Sequence, residues 1–448
     1  MMVIMQKPIS SHPTVVALRR RKAPEPVRLT LERVRRIAID AGADDAGVVS
    51  LDHPDLVDEV PYATRALAGA RSFVSIVLAT HRDNIRSPAR SVSNVEFHRA
   101  GRTVDEILHR IAAELSRLGH PTIHPAMAFP MEMDDFPGRT WIVAHKAVAV
   151  AAQLGRMGIH RSVIHPRLGS FVLLGTVITQ AEVEGTMPAL DFDPCLSCKL
   201  CVAACPVGAI EPDGAFRFSA CYDHNYREFM TGFGDFTEAV AESRDRHALR
   251  DRVSAPESAS MWQSLAYGPS YKAAYCIAVC PAGEDVIGPW LADRKAHLAE
   301  VVRPLVQRSE PVYVVRGSDA EEHVRRRFPH KDVRLVESSL RAPNARGFFR
   351  ALPLVFQRGP ARGWSATYHF ELAEDAETVT ATVRISDGRL EVEDGLVGEP
   401  DVHVVTTADT WLGVVSKRRS PVLAVLLGRL RVRGDRALLD KLASCFPR

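Results

Sequence analysis

Residues 195–206 read Cys195-Leu196-Ser197-Cys198-Lys199-Leu200-Cys201-Val202-Ala203-Ala204-Cys205-Pro206. This is the C-x₂-C-x₂-C-x₃-C-P spacing of bacterial ferredoxins, in which three thiolates hold one 4Fe–4S cluster and the fourth ligates the other cluster. A structural zinc site is a poorer description, because zinc sites are typically built from paired C-x₂-C knuckles. The stretch therefore predicts a ferredoxin-like double-cluster module.

A second group of cysteines completes this pattern further along the chain. Cys276 and Cys280 stand before Pro281, and Cys221 stands alone between the two motifs. Cross-ligation between the two motifs would use all seven of these thiols. The predicted ligand sets are Cys195, Cys198, Cys201 and Cys280 for the first cluster, and Cys205, Cys221 and Cys276 for the second.

One corner of the second cluster lacks a cysteine. A complete motif has a Cys three residues before Cys276, where this sequence has Ala273. Three alternatives are open: a non-cysteine ligand, with Asp223, His224 or Tyr275 as nearby candidates, a three-iron cluster, or no second cluster. We favour a second cluster with an unusual ligand, because its three thiols otherwise share no purpose.

Composition narrows the class of protein. The chain has 448 residues, of which 46% are hydrophobic and 25% charged, and its formal net charge is +3. That near balance argues against binding nucleic acid by charge alone, and so against tRNA as a partner. Cysteines concentrated in one segment indicate metal or redox chemistry in a reducing compartment. With no apolar run long enough for a transmembrane segment, we expect a cytoplasmic protein.

Hydrophobic periodicity divides the rest of the chain. Apolar residues at three- and four-residue steps from Val104 to Leu118 predict a helix, and residues 72–78 predict a buried strand. Residues 364–372 and 379–385 alternate as half-buried strands do. The predicted parts are an N-terminal extension at 1–28, an α/β reductase-like domain at 29–190, the cluster module at 191–290, a small βαβ connector at 291–345 and an α+β domain at 346–448.

Three segments of the α/β part carry a family resemblance. They are residues 65–76 (RALAGARSFVSI), 154–160 (LGRMGIH) and 169–175 (GSFVLLG), and the cysteine module follows them. Together they resemble epoxyqueuosine reductase and its relatives, the reductive dehalogenases, over roughly residues 29–290. The resemblance implies an α/β domain that binds cobalamin beside one cluster, with electrons passing through both clusters to the cobalt. It assigns cobalamin contacts to Gly158, His160, Ser162 and Gly169.

The same resemblance implies a catalytic acid and an electron donor. The acid of the family falls by simple counting near Arg139, and the closest carboxylates are those of Asp134 and Asp135, which are therefore the catalytic candidates. Such an acid must lie within hydrogen-bond reach of the reacting atom. No glycine-rich dinucleotide fingerprint follows a strand, so we expect an external donor, namely a ferredoxin, a flavodoxin or a flavoprotein.

The last hundred residues resemble a second family. Residues 426–435 read LLGRLRVRGD and follow an antiparallel strand pattern, which resembles the sterol carrier protein type 2 fold over about residues 348–447. The resemblance implies a C-terminal α+β sterol-carrier-like domain with an apolar tunnel for a lipid or another small apolar molecule. A domain that only packs against the reductase or mediates dimerisation is the alternative.

The whole sequence therefore predicts an iron–sulfur oxidoreductase of the cobalamin-dependent type, acting on an apolar substrate that the C-terminal domain presents. Two alternatives belong to other classes. One is a cobalamin-free, ferredoxin-like electron-transfer protein, and the other is a lipid-binding protein whose clusters are structural.

Overall fold

The computed structural model describes residues 9–20, 26–228, 232–267 and 275–447. Ala273, which marks the incomplete motif, lies outside these ranges, as do residues 1–8 and 21–25 of the predicted extension. Within the described ranges, no helix combines the length and the apolar character needed to cross a membrane.

The first half of the chain alternates helices and strands. In chain order they are α1 (Pro13–Arg20), β1 (Leu29–Thr30), α2 (Leu31–Ala41), β2 (Asp45–Ser50), α3 (Val60–Ala66), β3 (Ser72–Ala79), α4 (Arg82–Arg86), α5 (Arg90–Arg117), β4 (Thr122–Ile123), α6 (His145–Ala151), β5 (Arg156–Met157), β6 (Val163–Ile164), β7 (Val172–Thr179) and β8 (Val183–Glu184).

A four-stranded sheet in the order β2-β3-β7-β4 lies at the centre of this part, and each neighbouring pair is antiparallel. Helices α2 and α5 cover one face of the sheet, and α6 covers the other. The part is therefore α/β in content, but its central sheet is antiparallel. The sequence did not indicate strand direction. A strand that is covered on both faces reads as a continuous apolar run whether its sheet is parallel or antiparallel.

Gly175 lies in the middle of β7, where α5 packs against the sheet. A Cβ atom at this position would lie 2.6 Å from Val104 Cγ1 and 2.9 Å from Leu108 Cδ1. Both of these side chains are buried and belong to the predicted apolar stripe of α5. Gly175 is thus a packing glycine of a strand, not a turn glycine, because it allows the helix to approach closely.

Short helices and one βαβ unit make up residues 191–345. Their order is α7 (Leu200–Ala204), α8 (Phe218–Asn225), α9 (Gly232–Glu242), α10 (Arg246–Arg252), α11 (Ala255–Tyr267), α12 (Tyr275–Ala278), α13 (Glu284–Ala292), α14 (Arg294–His297), a π-helical turn (Leu298–Val302), α15 (Arg303–Val306), β9 (Pro311–Val315), α16 (Asp319–Arg327) and β10 (Asp332–Val336).

Strands β9 and β10 are parallel, and α16 connects them. One apolar core runs from the cysteine segment into this unit, since Cys201 and Cys205 pack in the same cluster as Val312, Val314 and Phe328. Two strands alone bury too little surface to be stable. The βαβ unit and the cysteine segment therefore stabilise each other.

The C-terminal part has a five-stranded sheet. Its elements are α17 (Ala345–Val355), β11 (Ser365–Glu374), β12 (Glu377–Ser386), β13 (Arg389–Asp394), β14 (Val402–Thr407), α18 (Ala408–Val415), α19 (Pro421–Leu426), β15 (Leu430–Gly434) and α20 (Ala437–Ser444).

The strand order of this sheet is β13-β12-β11-β14-β15, and only the β11–β14 pair is parallel. Alternate residues of β11, including Tyr368, Phe370 and Leu372, are buried against the helices, as the two-residue period predicts. Trp411 of α18 packs edge-on against Phe370, with ring centroids 5.2 Å apart. This core is separate from that of the cysteine segment.

Candidate iron–sulfur centre

One cavity collects four of the clustered cysteines. Its atom-free space is about 360 Å³, part of which is open to solvent. The thiols that line it are the set which the sequence assigns to the first cluster, and they come from opposite ends of the cysteine pattern. They are Cys195, Cys198, Cys201 and Cys280.

The loop that carries three of these thiols has an unusual backbone. Leu196, Ser197 and Lys199 have φ angles of 49°, 51° and 52°, which is the left-handed region. Residues other than glycine adopt this conformation at a cost of roughly 1 kcal/mol or more each. Metal binding couples to folding, so bonds from the thiolates to iron would offset this strain. The loop geometry therefore fits a cluster held between Cys195 and Cys201.

Backbone amides point at two of the cysteine sulfurs. Ile159 N donates to Cys195 Sγ at 3.3 Å, and Ala209 N donates to Cys205 Sγ at 3.3 Å. Burial raises the pKa of Cys205, and N–H groups of the turn after Pro206 act in the opposite direction. Amide donors of this kind stabilise thiolate charge and are among the factors that set cluster potentials.

Cys205, Cys221 and Cys276 form a second group. Burial, followed by the charges of Cys205 and Cys276, raises the pKa of Cys221 to about 12. Burial, followed by the charge of Cys205, raises the pKa of Cys276 to about 12 as well. Asn225 Nδ2 also donates to Cys221 Sγ at 3.0 Å. Thiols that oppose each other's ionisation in this way become thiolates together only when a metal compensates their charge.

A single-ion site would need several ligand side chains gathered around one point. Across the described ranges, no three His, Cys, Asp or Glu side chains come close enough to hold one metal ion. A cubane distributes its ligands over four separate irons, so its thiolates stand further apart than the ligands of a zinc ion. The preference for clusters over zinc therefore comes from the ferredoxin spacing of the cysteines in the sequence.

Each of the three nearby candidates for the missing ligand forms a hydrogen bond with another residue. Asp223 Oδ1 accepts hydrogen bonds from the backbone N and the Oγ of Ser339. His224 Nδ1 accepts from Tyr313 N, and the Tyr275 hydroxyl bonds to Glu310. These partners all lie on or beside the βαβ unit. Residues 268–274, which precede Cys276 in the chain, lie outside the described ranges.

Gly169 is one of the positions where the α/β part contacts the cysteine segment. Its φ is 66°, and a Cβ at this position would lie 2.0 Å from Ala282 O. Ala282 follows Cys280 by two residues and lines the first cavity. Only glycine allows both this conformation and this approach. Gly169 therefore seats the Cys280 segment.

The other residues that the resemblance assigns to cobalamin lie in a loop beside the same cavity. Gly158 N donates to Ser162 O at 2.9 Å, and Ser162 N donates to His160 Nδ1 at 3.1 Å. His160 is buried and lines the cavity. The structure thus brings Gly158, His160 and Ser162 together, at the wall of the cysteine cavity.

The ring of His160 carries one hydrogen-bond donor that has no partner among the described residues. Because Nδ1 accepts from Ser162 N, the proton of the neutral ring is on Nε2. Nε2 is buried and has no hydrogen-bond partner among the described residues. Burial, and then the charge of Lys146, lower the pKa of His160 to about 4, so the ring is neutral. A cluster sulfur is the acceptor that would satisfy this N–H.

Replacement of His160 by Phe should lower the reduction potential of the first cluster by roughly 50 mV. This corresponds to about 1 kcal/mol of hydrogen bonding that favours the reduced, more negative state of a one-electron couple. A redox titration followed by electron paramagnetic resonance measures the shift. His145→Phe is the control, because both ring nitrogens of His145 have partners elsewhere, at Thr176 Oγ1 and Ala126 O. Equal potentials for wild type and His160→Phe would contradict the assignment.

Two cations that the sequence analysis did not single out lie beside the thiols. Lys146 of α6 donates to Arg161 O at 2.6 Å. Its side chain keeps accessible surface, yet burial lowers its pKa, while Cys276 and Cys221 oppose that shift. Arg86 donates to Ala278 O at 3.1 Å. The one sequence signal for Lys146 was a charged residue within an otherwise apolar helix.

The catalytic candidates Asp134 and Asp135 lie on an exposed turn. Their carboxylates make no hydrogen bond to any described residue, although the neighbouring Phe136 ring packs 6.4 Å from Tyr222 of α8. The position that counting assigns to the acid is Arg139, which forms a two-pronged ion pair with the buried Glu59. The structure therefore does not bring these carboxylates into contact with the cysteine groups.

The Glu59–Arg139 pair holds the segment before α6 in place. Glu59 Oε2 also accepts from Ala144 N at 2.9 Å, and the Arg139 guanidinium lies 3.8 Å from the centre of the Tyr62 ring. This carboxylate is thus fully used in structural contacts. The sequence carried no signal for the pair, because its partners are 80 residues apart.

Glu59→Gln should lower the free energy of unfolding by about 3 kcal/mol, because it leaves a mostly buried guanidinium without its counter-charge. Urea unfolding measures this loss. Glu184→Gln is the matched control, since it breaks the exposed pair between Arg28 and Glu184 and should cost less than about 1 kcal/mol. Similar costs for the two variants would show that burial does not strengthen the Glu59 pair.

Two segments of the chain match known protein families. Residues 188–211 match the 4Fe-4S binding domain, and residues 357–447 match the SCP-2 sterol transfer family. The epoxyqueuosine reductase of Gloeobacter violaceus is 26% identical over 178 residues, which are 40% of this chain and 52% of the relative. That of Listeria monocytogenes is 36% identical over 94 residues, which are 19% of this chain and 24% of the relative.

A solved structure with a similar segment is the epoxyqueuosine reductase from Streptococcus thermophilus. It is 20% identical, and the match covers 41% of this chain and 54% of that one with a TM-score of 0.31. The chain spans about half the length, or less, of the curated relatives that it matches. It joins a segment that matches the 4Fe-4S binding domain, and has epoxyqueuosine reductase relatives, to a segment that matches the SCP-2 sterol transfer family.

Proposed function

Because an iron–sulfur segment of this kind and a sterol carrier domain share one chain, we propose an oxidoreductase that reduces an apolar substrate held by the C-terminal domain. The observation that carries the proposal is the interleaving of the two thiol groups. Cys201 lies in α7, and Cys205 follows the last residue of this helix, so the two are about one turn apart although they belong to different groups. Burial, and then the charge of Cys276 from the other group, raise the pKa of Cys201. The two groups therefore adjoin.

Bound clusters would supply one-electron carriers at these two adjoining sites. The first cavity is partly open to solvent, and Cys195 and Cys198 are partly exposed, so an external ferredoxin, flavodoxin or flavoprotein could reach it. Lys146 lies beside the second group with accessible surface. We place the reductive site there, where its ammonium group stabilises negative charge that develops on a substrate. The cytoplasm provides the reducing conditions that seven thiols need.

Cobalamin is the further cofactor that the family resemblance implies. The polar groups of the loop assigned to it are already used: Gly158 N and Ser162 N bond within the loop, and the Arg161 carbonyl accepts from Lys146. Such groups are not free to bind the amide side chains of a corrin. We therefore derive no step through cobalamin, and a titration tests it directly.

Reduction of an epoxide on tRNA is not part of the proposal. The position that counting assigns to the catalytic acid is Arg139, and its guanidinium is bonded to Glu59. An ion-paired arginine cannot act as a general acid near neutral pH. A different substrate class is therefore proposed.

Two observations favour an apolar substrate presented by the C-terminal domain. Arg358, just before β11, bonds to Glu211 at 2.9 Å and to Asp213 at 3.0 Å, which ties that domain to the cysteine segment. Trp411 Nε1 is buried and lacks a hydrogen-bond partner among the described residues. Inside an aromatic core, this N–H could bind the polar end of an otherwise apolar ligand.

The test is anaerobic reconstitution of the full chain with iron and sulfide, followed by titration with hydroxocobalamin. The proposal expects roughly eight irons per chain and bleaching of the cluster absorbance by a low-potential donor. A fluorescent fatty acid should bind with a stoichiometry near one, and Trp411→Phe should weaken that binding. Clusters that no low-potential donor reduces would overturn the proposal in favour of a structural role. Stoichiometric binding of hydroxocobalamin would show that cobalamin is a cofactor of this protein.

A further inference from the structure

Helix α19 exposes nearly all of its apolar surface. Val422, Leu423 and Leu426 are 66%, 55% and 77% exposed, and Leu427, just after the helix, is 58% exposed. Ala424 is the only buried residue of this helix. The Ser420 side chain accepts a hydrogen bond from Leu423 N and so caps the start of this helix. Contiguous exposed apolar surface of this kind marks an interaction site.

Cations flank this helix on both sides in the sequence. Residues 417–434 contain six Lys or Arg and no Asp or Glu. Arg431 and Arg433 are exposed on β15, an edge strand that turns Leu430 inward. Arg419 pairs with Asp409, and the other five cations of the segment form no ion pair with any described residue. We call the apolar residues of α19 and these flanking cations the α19 patch.

We propose that the α19 patch docks this protein on the surface of an anionic lipid bilayer, with Leu423 and Leu426 among the acyl chains and the arginines at the headgroups. Apolar side chains flanked by Lys and Arg have the composition of interfacial anchors. Each cation near an anionic surface adds attraction. The inference depends only on the sterol carrier domain and not on the clusters, and it goes beyond the oxidoreductase by naming where an apolar substrate is collected.

Charge decides between a bilayer and a second copy of the chain. In a two-fold dimer through this patch, the same surface would face itself, so the five unpaired cations of one copy would face the same five cations of the other. Like charges placed opposite each other across an interface are strongly unfavourable. An anionic surface removes that conflict and buries the same leucines.

The test measures co-sedimentation of the full chain with phosphatidylcholine vesicles, with and without phosphatidylglycerol. We expect binding only to the anionic vesicles. Leu423→Ser/Leu426→Ser should lower the partition coefficient at least about tenfold, because both side chains lose acyl-chain contacts. Arg431→Ser/Arg433→Ser should lower it roughly tenfold or more at low salt, and by less at high salt.

The matched control is Leu265→Ser on α11, where Leu265 is 58% exposed and the helix itself contains no Lys or Arg. It should bind vesicles as the wild type does. Circular dichroism and cluster absorbance check that each variant is folded. We expect all of them to fold, because the substituted side chains are exposed. The proposal would be overturned if the leucine variant bound vesicles as well as the wild type does, or if binding did not require anionic lipid. It would also be overturned if the wild type were a dimer and the leucine variant a monomer.

Discussion

Cys198→Ala should leave the reconstituted protein with roughly four irons per chain instead of roughly eight, and without the spectrum of the first cluster. Apart from its thiols, the first cavity is lined mainly by apolar groups, with His160 and Lys199 as its polar side chains. The His160 Nδ1 is already an acceptor, so neither side chain offers a ready replacement ligand. Iron and sulfide assays and the electron paramagnetic resonance spectrum of the reduced protein measure the loss.

Two companion variants make this result specific. Cys205→Ala should remove the second cluster and leave the first, because Cys205 adjoins Cys221 and Cys276. Cys445→Ala should change neither, because Cys445 is buried in the core of the C-terminal domain. A full iron content and an unchanged spectrum in Cys198→Ala would show that the ligand assignment is wrong.

Gly169→Ala should lower the free energy of unfolding by roughly 3 kcal/mol and make the first cluster labile. Two costs add at this position: a left-handed backbone with φ of 66°, and a methyl group 2.0 Å from Ala282 O. Relief of that clash must displace the segment that carries Cys280. Denaturant unfolding measures the stability, and the rate of iron loss to a chelator measures the lability.

Gly214→Ala separates these two costs. Gly214 has φ of 87°, but a Cβ there would meet no atom within 4 Å. The backbone cost alone should be about 1 kcal/mol, and iron retention should not change. If both variants lost the same stability and kept their iron equally well, Gly169 would not be the seat of the Cys280 segment.

Much of the fold could be predicted because its signals are local. The stripe from Val104 to Leu115 is buried in α5, and alternation in β11 and β12 places their apolar residues in the C-terminal core. Each signal depends on the period of one element. Strand direction in the first sheet had no such signal, and neither did the role of Gly175, because both depend on what packs against the strand.

The candidate site shows the same division. The cysteine spacing predicted a set of four thiols that line one cavity, whereas the ligand sets of the two clusters stay predictions. It did not predict that Asp223, His224 and Tyr275 bond toward the βαβ unit. Those bonds form between segments far apart in the chain, and residue type alone does not choose among possible partners.

The sequence by itself determined the chemistry: an ordered run of thiols at ferredoxin spacing, and a C-terminal strand pattern of the sterol carrier type. The tertiary structure decided how that chemistry is held. It placed Gly169 under the Cys280 segment, His160 at the cavity wall and Lys146 beside the second thiol group. Ligand spacing is set by a few neighbouring residues, whereas burial, charge and close approach are set by contacts between distant ones.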